Sequence, residues 1–402
     1  MSDFYQTGVI ATFHRLGKLN LEKIESELNW YAQQRPIALV LPSLYSEIEG
    51  EALKDIIREL KEVKYLREIV VTLGQSNEEE FKHAKEFFSV LPQKVRIIWN
   101  DGKRVQNLYT LLEEQGLSAG IDGKGRSTWM SYGYIIAVGE CDVIALHDCD
   151  ILTYNREMLA RLCYPVTNPN LDYEFCKGFY SRVTDRMHGR VTRLLVTPLI
   201  RALEKLLGYL PLLVYFDSFR YPLAGEFSMI TDLARVNRIP GDWGLEVSVL
   251  AEVYRNCAIR RICQVDLCEN YEHKHQELSP EDPEKGLMKM AVDITKSLFR
   301  TLASEGVIFS EGLFKTLIAT YLRTSQDMLK RYEDDCAING LFFDRHEEGT
   351  AVEAFTRGIR IAGQTIMEDP LGAPLIPSWS RVTSAIPDIP NMIKEAVEED
   401  NK

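Results

Sequence analysis

Four short, mainly apolar runs, at residues 37–41, 69–73, 95–99 and 143–146, punctuate the first 150 residues of this 402-residue chain. Apolar runs of this length without strict alternation read as strands covered on both faces. Between them lie stretches of helical periodicity at 51–63, 77–88 and 127–138, with Asn77 placed to cap the second and Glu78, Glu79 and Glu80 in its first turn. Strands alternating with helices at this spacing imply βαβ units, because parallel strands need a long crossover. The first half is therefore expected to be an α/β, Rossmann-like nucleotide-binding fold with a mainly parallel sheet.

The fourth run carries the chemistry. Val143-Ile144-Ala145-Leu146 ends in His147-Asp148-Cys149-Asp150, two carboxylates one residue apart at the C-terminal end of a strand. Open α/β sheets bind their ligands at that end. Hard carboxylate oxygens there suit Mg²⁺ or Mn²⁺ bound to a nucleotide diphosphate. A polar strand-to-loop transition produces the same three letters, so Asp-x-Asp alone does not decide the matter.

Bulk properties narrow the field. Lys and Arg number 47 against 59 Asp and Glu, a formal net charge of −12, which disfavours nucleic acid and anionic membrane as partners. No apolar run is long enough to span a bilayer, and no signal peptide is visible. The eight cysteines form no Cys-x-x-Cys pair, so buried thiols in a reducing compartment are expected and the protein is placed in the cytoplasm. Residues 1–35 read as an N-terminal extension, 36–280 as the α/β domain, and 281–402 as a mainly helical extension (287–302, 313–332, 351–362) with a Pro-rich tail at 370–390.

Other segments offer polar groups in places that suit a ligand. Gly123-Lys124-Gly125 precedes the helix leading into the Asp-x-Asp strand; it presents a cation and close backbone approach, or a plain surface turn. Gly189-Arg190-Val191-Thr192-Arg193 opens a helical stretch at 191–207, where unpaired N–H groups and arginines suit an anion. Glu226 in Leu223-Ala224-Gly225-Glu226 and Glu246 in Pro240-Gly241-Asp242-Trp243-Gly244-Leu245-Glu246 either line a sugar pocket, with Trp243 as a ring face, or complement helix dipoles. His273 and His275 follow a β-like segment at 261–267, and an imidazole there could complete a divalent metal site with the Asp pair.

In this order, the segments resemble the glucosyl-3-phosphoglycerate synthases, retaining glycosyltransferases of the GT-A fold. The likeness covers residues 36–280 and rests on Leu41-Pro42-Ser43-Leu44, Gly123-Lys124-Gly125 with Trp129, Asp148-Cys149-Asp150, Gly189-Arg190-Val191-Thr192, and the tract 222–273. It implies a GT-A domain that moves glucose from a UDP- or GDP-sugar to D-3-phosphoglycerate with Mg²⁺ or Mn²⁺. By the resemblance, Pro42, Leu44 and Glu47 surround the nucleoside, Lys124 faces the base or diphosphate, and Asp148 touches the ribose or sugar. Asp150 and His273 hold the metal, and Gly189, Arg190 and Thr192 receive the acceptor's phosphate or carboxylate. Leu223, Ala224 and Glu246 border the hexose, with Glu246 and Asp148 as the candidate catalytic carboxylates. Two departures stand out: Tyr45-Ser46-Glu47 replaces the usual Asn-Glu-Glu, and Tyr271-Glu272 replaces a basic neighbour of His273. Mannosyl transfer, free glycerate or another small acid as acceptor, and a nucleotidyltransferase or nucleotide-sugar-binding protein are the alternatives. The C-terminal helices are expected to serve as scaffold or as a homodimer interface.

Overall fold

The computed structural model describes residue 6 and residues 8–240, 244–273, 282, 285–372 and 374–402. Its centre is one eight-stranded sheet: β1 (Ala11–Phe13), β2 (Ile37–Leu44), β3 (Leu66–Gly74), β4 (Lys94–Trp99), β5 (Val143–Leu146), β6 (Phe175–Phe179), β7 (Phe227–Ile230) and β8 (Ile262–Asp266). The spatial order is β1-β8-β6-β7-β5-β2-β3-β4. β7 runs antiparallel to both neighbours, β5 and β6, and all other pairs are parallel.

Side-chain alternation sorts the strands onto two cores. Ala38, Val40, Ile144 and Leu146 face one hydrophobic cluster, while Ile37, Leu39, Leu41, Val143 and Ala145 face the other. Helices cover both faces, which is why these strands read as unbroken apolar runs. β2 extends past Pro42, where the sequence suggested a stop. Its pairing with β5 ends at Val40, while pairing with β3 continues to Leu44. A residue without an N–H is tolerated where one side of the strand has no ladder to complete.

Both ends of the chain belong to this architecture. β1 lies within the segment read as an N-terminal extension, yet it pairs with β8 and forms the sheet edge. The helix Leu21–Tyr31 packs on the helix Arg156–Thr167. One hydrophobic cluster runs from Ile10 through the sheet and the helices Gly286–Ser304 and Arg345–Glu368 to Val397. The C-terminal helices therefore share a core with the sheet rather than follow it. The Pro-rich segment carries the helix Trp379–Ala385 and leads into a second, Ile389–Asp400. At its end the Asn401 amide accepts from Ile97 N (2.9 Å) and donates to Ile97 O (2.8 Å), pairing with the outer edge of β4 as a strand would.

All eight cysteines are free and buried. Among the described residues no helix is long and apolar enough to cross a membrane.

Candidate active site at the carboxyl edge of the sheet

The topology gathers the polar segments at one edge. β5 exits the sheet at Leu146, opposite Phe227, the first residue of the reversed strand β7. The exit of one strand (147–150) and the entry to the other (223–226) are therefore neighbours. The contact is close: a Cβ on Gly225 would lie 2.5 Å from Asp148 Oδ2, so only glycine fits beside that carboxylate. The helix Lys124–Val138 feeds β5 and so begins at the same edge, with Lys124 as its first residue. The helix Leu245–Asn256 presents Glu246 in its first turn.

Lys124 is the hub of the charges. Its Nζ lies 2.6 Å from Asp148 Oδ1 and 3.4 Å from Glu246 Oε1. Burial disfavours the Asp148 anion, but the Lys124 ammonium more than offsets this and holds its carboxyl below the usual range. Burial likewise disfavours the Lys124 cation, and Asp148 and Glu246 outweigh it, so Lys124 stays protonated. The result is a fixed ammonium between two carboxylates.

Beside this cluster, His273 Nδ1 lies 3.5 Å from Asp150 Oδ2. An antiparallel bridge between Ile151 and His273, with Leu152 N donating to Glu272 O (2.8 Å), holds the two segments together. Adjacent ligands of an octahedral ion with bonds of about 2.1 Å stand roughly 3 Å apart, so this oxygen and nitrogen fit neighbouring positions on one divalent cation. Among the described residues no set of three or more His, Cys, Asp or Glu is arranged to hold an ion. A two-ligand site leaves positions for a substrate's phosphate oxygens and water, the usual mode for Mg²⁺.

Next to β5 in the sheet, β2 delivers Pro42 and the exposed Leu44. Glu47 Oε2 accepts the Leu44 N–H at 3.1 Å. Burial, with Asp150 and Asp148 nearby, pushes the Glu47 carboxyl up to about 7.

The segment from Gly189 begins with a left-handed glycine (φ +74°) packed beneath the Tyr221 ring, followed by a π-helix, Val191–Val196. Thr192 Oγ1 is buried with no hydrogen-bond partner. The Arg190 guanidinium is already engaged: Nε donates to Glu348 Oε1 (2.8 Å) and Nη2 lies 2.7 Å from Glu347 Oε1. Arg193 Nη1 holds the other oxygen of Glu348 at 2.9 Å.

A scan against protein-family models finds no match. Two curated relatives are similar along their whole length. Glucosyl-3-phosphoglycerate synthase of Persephonella marina is 51% identical over 401 residues, covering 100% of this chain and 99% of the relative. The chain belongs to the glucosyl-3-phosphoglycerate synthase family. The enzyme of the same name from Methanococcoides burtonii is 40% identical, covering 98% of this chain and 97% of the relative. Among solved structures, glucosyl-3-phosphoglycerate synthase of Mycobacterium tuberculosis in complex with Mg²⁺ and UDP superposes with a TM-score of 0.53. It is 21% identical and covers 75% of this chain and 89% of that one. Mannosyl-3-phosphoglycerate synthase of Rubrobacter xylanophilus gives 0.53 at 20% identity, covering 71% and 80%. These likenesses bear out the GT-A α/β fold with C-terminal helices.

In this family member the structure brings Lys124, Asp148, Asp150, Glu246 and His273 to one edge, with the 223–225 turn against Asp148. Gly241, Asp242, Trp243 and His275, singled out in the sequence, lie outside the described residues. Sequence reasoning missed Lys177, a fully buried lysine whose Nζ donates to Ala224 O at 2.5 Å. Burial pushes its pKa down to about 8, against the pull of Glu246 and Glu226. A lysine inside the apolar strand Phe175-Cys176-Lys177-Gly178-Phe179 was the available signal, since a buried charge needs a partner. Also missed were Glu347 and Glu348, which look in the sequence like ordinary first-turn glutamates of a helix.

Proposed function

We propose that the protein is a retaining glucosyltransferase that moves glucose from UDP-glucose to D-3-phosphoglycerate in the presence of a divalent cation. The observation that carries this reading is the Lys124–Asp148–Glu246 cluster set beside the Asp150–His273 pair, at the sheet edge where nucleotides bind. Two further facts support it. The two full-length relatives carry this enzyme name. The Mycobacterium tuberculosis neighbour was crystallised with Mn²⁺, UDP-glucose and phosphoglyceric acid.

Asp150 and His273 would hold Mg²⁺ or Mn²⁺, which when bound neutralises charge on the departing diphosphate. Lys124 stays protonated and adds a second fixed positive charge on the leaving-group side, oriented by its two carboxylates rather than by solvent. Pro42, Leu44 and Glu47 border the nucleoside. Leu223, Ala224, Asp148 and Glu246 surround the hexose, and the Lys177 bond to Ala224 O stiffens that wall. Gly189 and Thr192 receive the acid's anionic group, with Arg190 shared between that group and the two glutamates. In the transfer, the bond between C1 of glucose and the phosphate oxygen breaks, and a bond forms from C1 to the acceptor hydroxyl on the same face. The hydroxyl proton passes to the leaving phosphate, and UDP departs. No carboxylate nucleophile is invoked, unlike the two-carboxylate route of retaining glycosidases.

The test is a panel: UDP-glucose, GDP-glucose and GDP-mannose, each with 3-phosphoglycerate or glycerate and Mg²⁺, read by product mass and nucleotide release. UDP release with a glucosyl-phosphoglycerate product is the expected result. Absence of product with every three-carbon acid overturns the reading, pyrophosphate release points to nucleotidyl transfer, and a product only with GDP-mannose reassigns the sugar.

A further inference from the structure

One buried carboxylate has no part in the reaction just described. Glu226 is 1% exposed and accepts hydrogen bonds from two tyrosine hydroxyls, Tyr271 at 2.6 Å on Oε1 and Tyr180 at 2.8 Å on Oε2. The two rings are stacked almost parallel, with centroids 3.8 Å apart and planes 5° off. Backbone bonds lock the same unit: Gly178 N donates to Glu226 O (2.9 Å), and Tyr271 N to Ser181 O (2.8 Å).

The unit ends on the imidazole that faces Asp150. Tyr271 stands two residues before His273, and their rings meet edge to face at 5.5 Å and 74°. The backbone between them is pinned to the Asp-x-Asp segment by the Ile151–His273 bridge and by Glu272 N donating to Thr153 Oγ1 (3.0 Å). At its other end, Tyr180 packs on Tyr221 (4.9 Å), whose hydroxyl would lie 3.1 Å from a Cβ at Gly189. A ladder of rings thus runs from Gly189 to His273, and Glu226 is the acceptor that fixes its two central rungs.

We infer that Glu226 is a positioning residue for metal binding: through Tyr271 it sets the direction of the His273 ring opposite Asp150. The inference rests on the reading of Asp150 and His273 as the metal pair. The physical reason is that an imidazole held by two protein contacts loses little freedom when it binds an ion, whereas a loose one must be ordered first. Both tyrosines donate to one carboxylate, so no neutral side chain of the same shape satisfies both in the present arrangement. A carboxamide has one acceptor oxygen, and its nitrogen donates.

The experiment compares full-length wild type with Glu226→Gln, Tyr271→Phe and Tyr180→Phe. Mn²⁺ binding in the presence of UDP is read by electron paramagnetic resonance. Alongside it, kcat at saturating Mn²⁺ and the Mn²⁺ concentration for half-maximal rate are measured. Tyr271→Phe and Glu226→Gln are expected to weaken Mn²⁺ binding about 10- to 100-fold while kcat at saturating Mn²⁺ stays within about threefold. Tyr180→Phe, which leaves the Tyr271 hydrogen bond to Glu226 in place, should have the smaller effect. Wild-type Mn²⁺ affinity in a folded Tyr271→Phe, or a lost kcat at unchanged affinity, overturns the inference. That variant keeps the ring stack and decides the matter if Glu226→Gln does not fold. A wild type that binds no Mn²⁺ with UDP overturns the metal pair and this inference together. Mn²⁺ binding weakened in the variants, in a protein that transfers no glucose, overturns the proposed reaction and leaves the positioning role standing.

Discussion

Trp379 stacks on Trp129 with ring centroids 4.1 Å apart and an interplanar angle of 18°, and each indole is tied to the other's segment. Trp129 Nε1 donates to Pro377 O and Trp379 Nε1 to Trp129 O, both at 2.8 Å. The C-terminal segment thereby grips the helix whose first residue is Lys124. Gly133 explains itself here, since a Cβ would lie 2.1 Å from Trp379 Cζ2. Trp379→Ala is expected to cost about 3–5 kcal/mol, the range for emptying a buried aromatic site, read by chemical denaturation. Gly133→Ala should destabilise as well, although alanine is normally about 1 kcal/mol better than glycine within a helix.

Gly225→Ala tests the fit between the sheet's reversed strand and Asp148. The added methyl displaces a carboxylate that is already held by Lys124. A displacement of about 1 Å at a reacting site costs on the order of 100-fold, so kcat/KM should fall by about that factor with little change in Tm. Wild-type kinetics in this variant would separate Asp148 from the reaction.

Asp150→Ala and His273→Ala each remove one of the two groups proposed to hold the cation. Mn²⁺ binding measured by calorimetry should fall at least about 100-fold in each, with the far-UV spectrum unchanged. Metal-dependent turnover that persists in Asp150→Ala would remove it from the metal site.

Thr192→Val separates binding from stability by sign. The Oγ1 atom is buried without a partner, so replacing it by a methyl is expected to leave the unfolding free energy unchanged or raise it by about 1 kcal/mol. If the hydroxyl meets the acceptor, KM for 3-phosphoglycerate should rise about tenfold, the value of one hydrogen bond of about 1.4 kcal/mol. KM for UDP-glucose should not move.

His147 gives the stability an acid limb. Burial drives its pKa down to about 4, and its Nε2 has no partner, so the folded protein holds it neutral. An unfolded chain takes up this proton near pH 6.5 and the folded one only near 4. The stability His147 contributes is therefore complete above pH 6.5 and lost as pH falls through 4, about 3 kcal/mol in all. His147→Asn keeps a donor for Asp148 O, which Nδ1 contacts at 2.9 Å, and does not titrate. Denaturation at pH 7 and pH 4.5 should show a smaller loss in the variant, and equal losses would contradict the assignment.

Legibility followed the range of the interactions. β5 and the Asp-x-Asp at its end were plain, because a strand covered on both faces is apolar at every position and its ending is abrupt. Helices such as Glu78–Phe88 announced themselves through a local cap, the Asn77 and Glu80 capping box. β7 was hidden in a tract of turn residues, since four residues of Phe-Ser-Met-Ile carry no clear period. β1 was too short to read, and it exists only because β8 offers an edge. The proline-rich segment looked like a tail because its anchor, Trp379, finds Trp129 across 250 residues of chain.

The sequence by itself determined the α/β alternation, the position of Asp148 and Asp150 at a strand end, and the ordered segments that mark the family. Those features are local: apolar runs, caps, and short motifs whose spacing survives in one dimension. Only the tertiary structure decided which charges meet. Lys124 reaches Asp148 and Glu246, Arg190 is held by Glu347 and Glu348, and Glu226 joins two stacked tyrosines, whereas the Asp150–His273 pairing was already expected from the resemblance. The first three depend on a reversed strand or a returning helix, and a charge in a sequence does not specify the partner that burial will require of it.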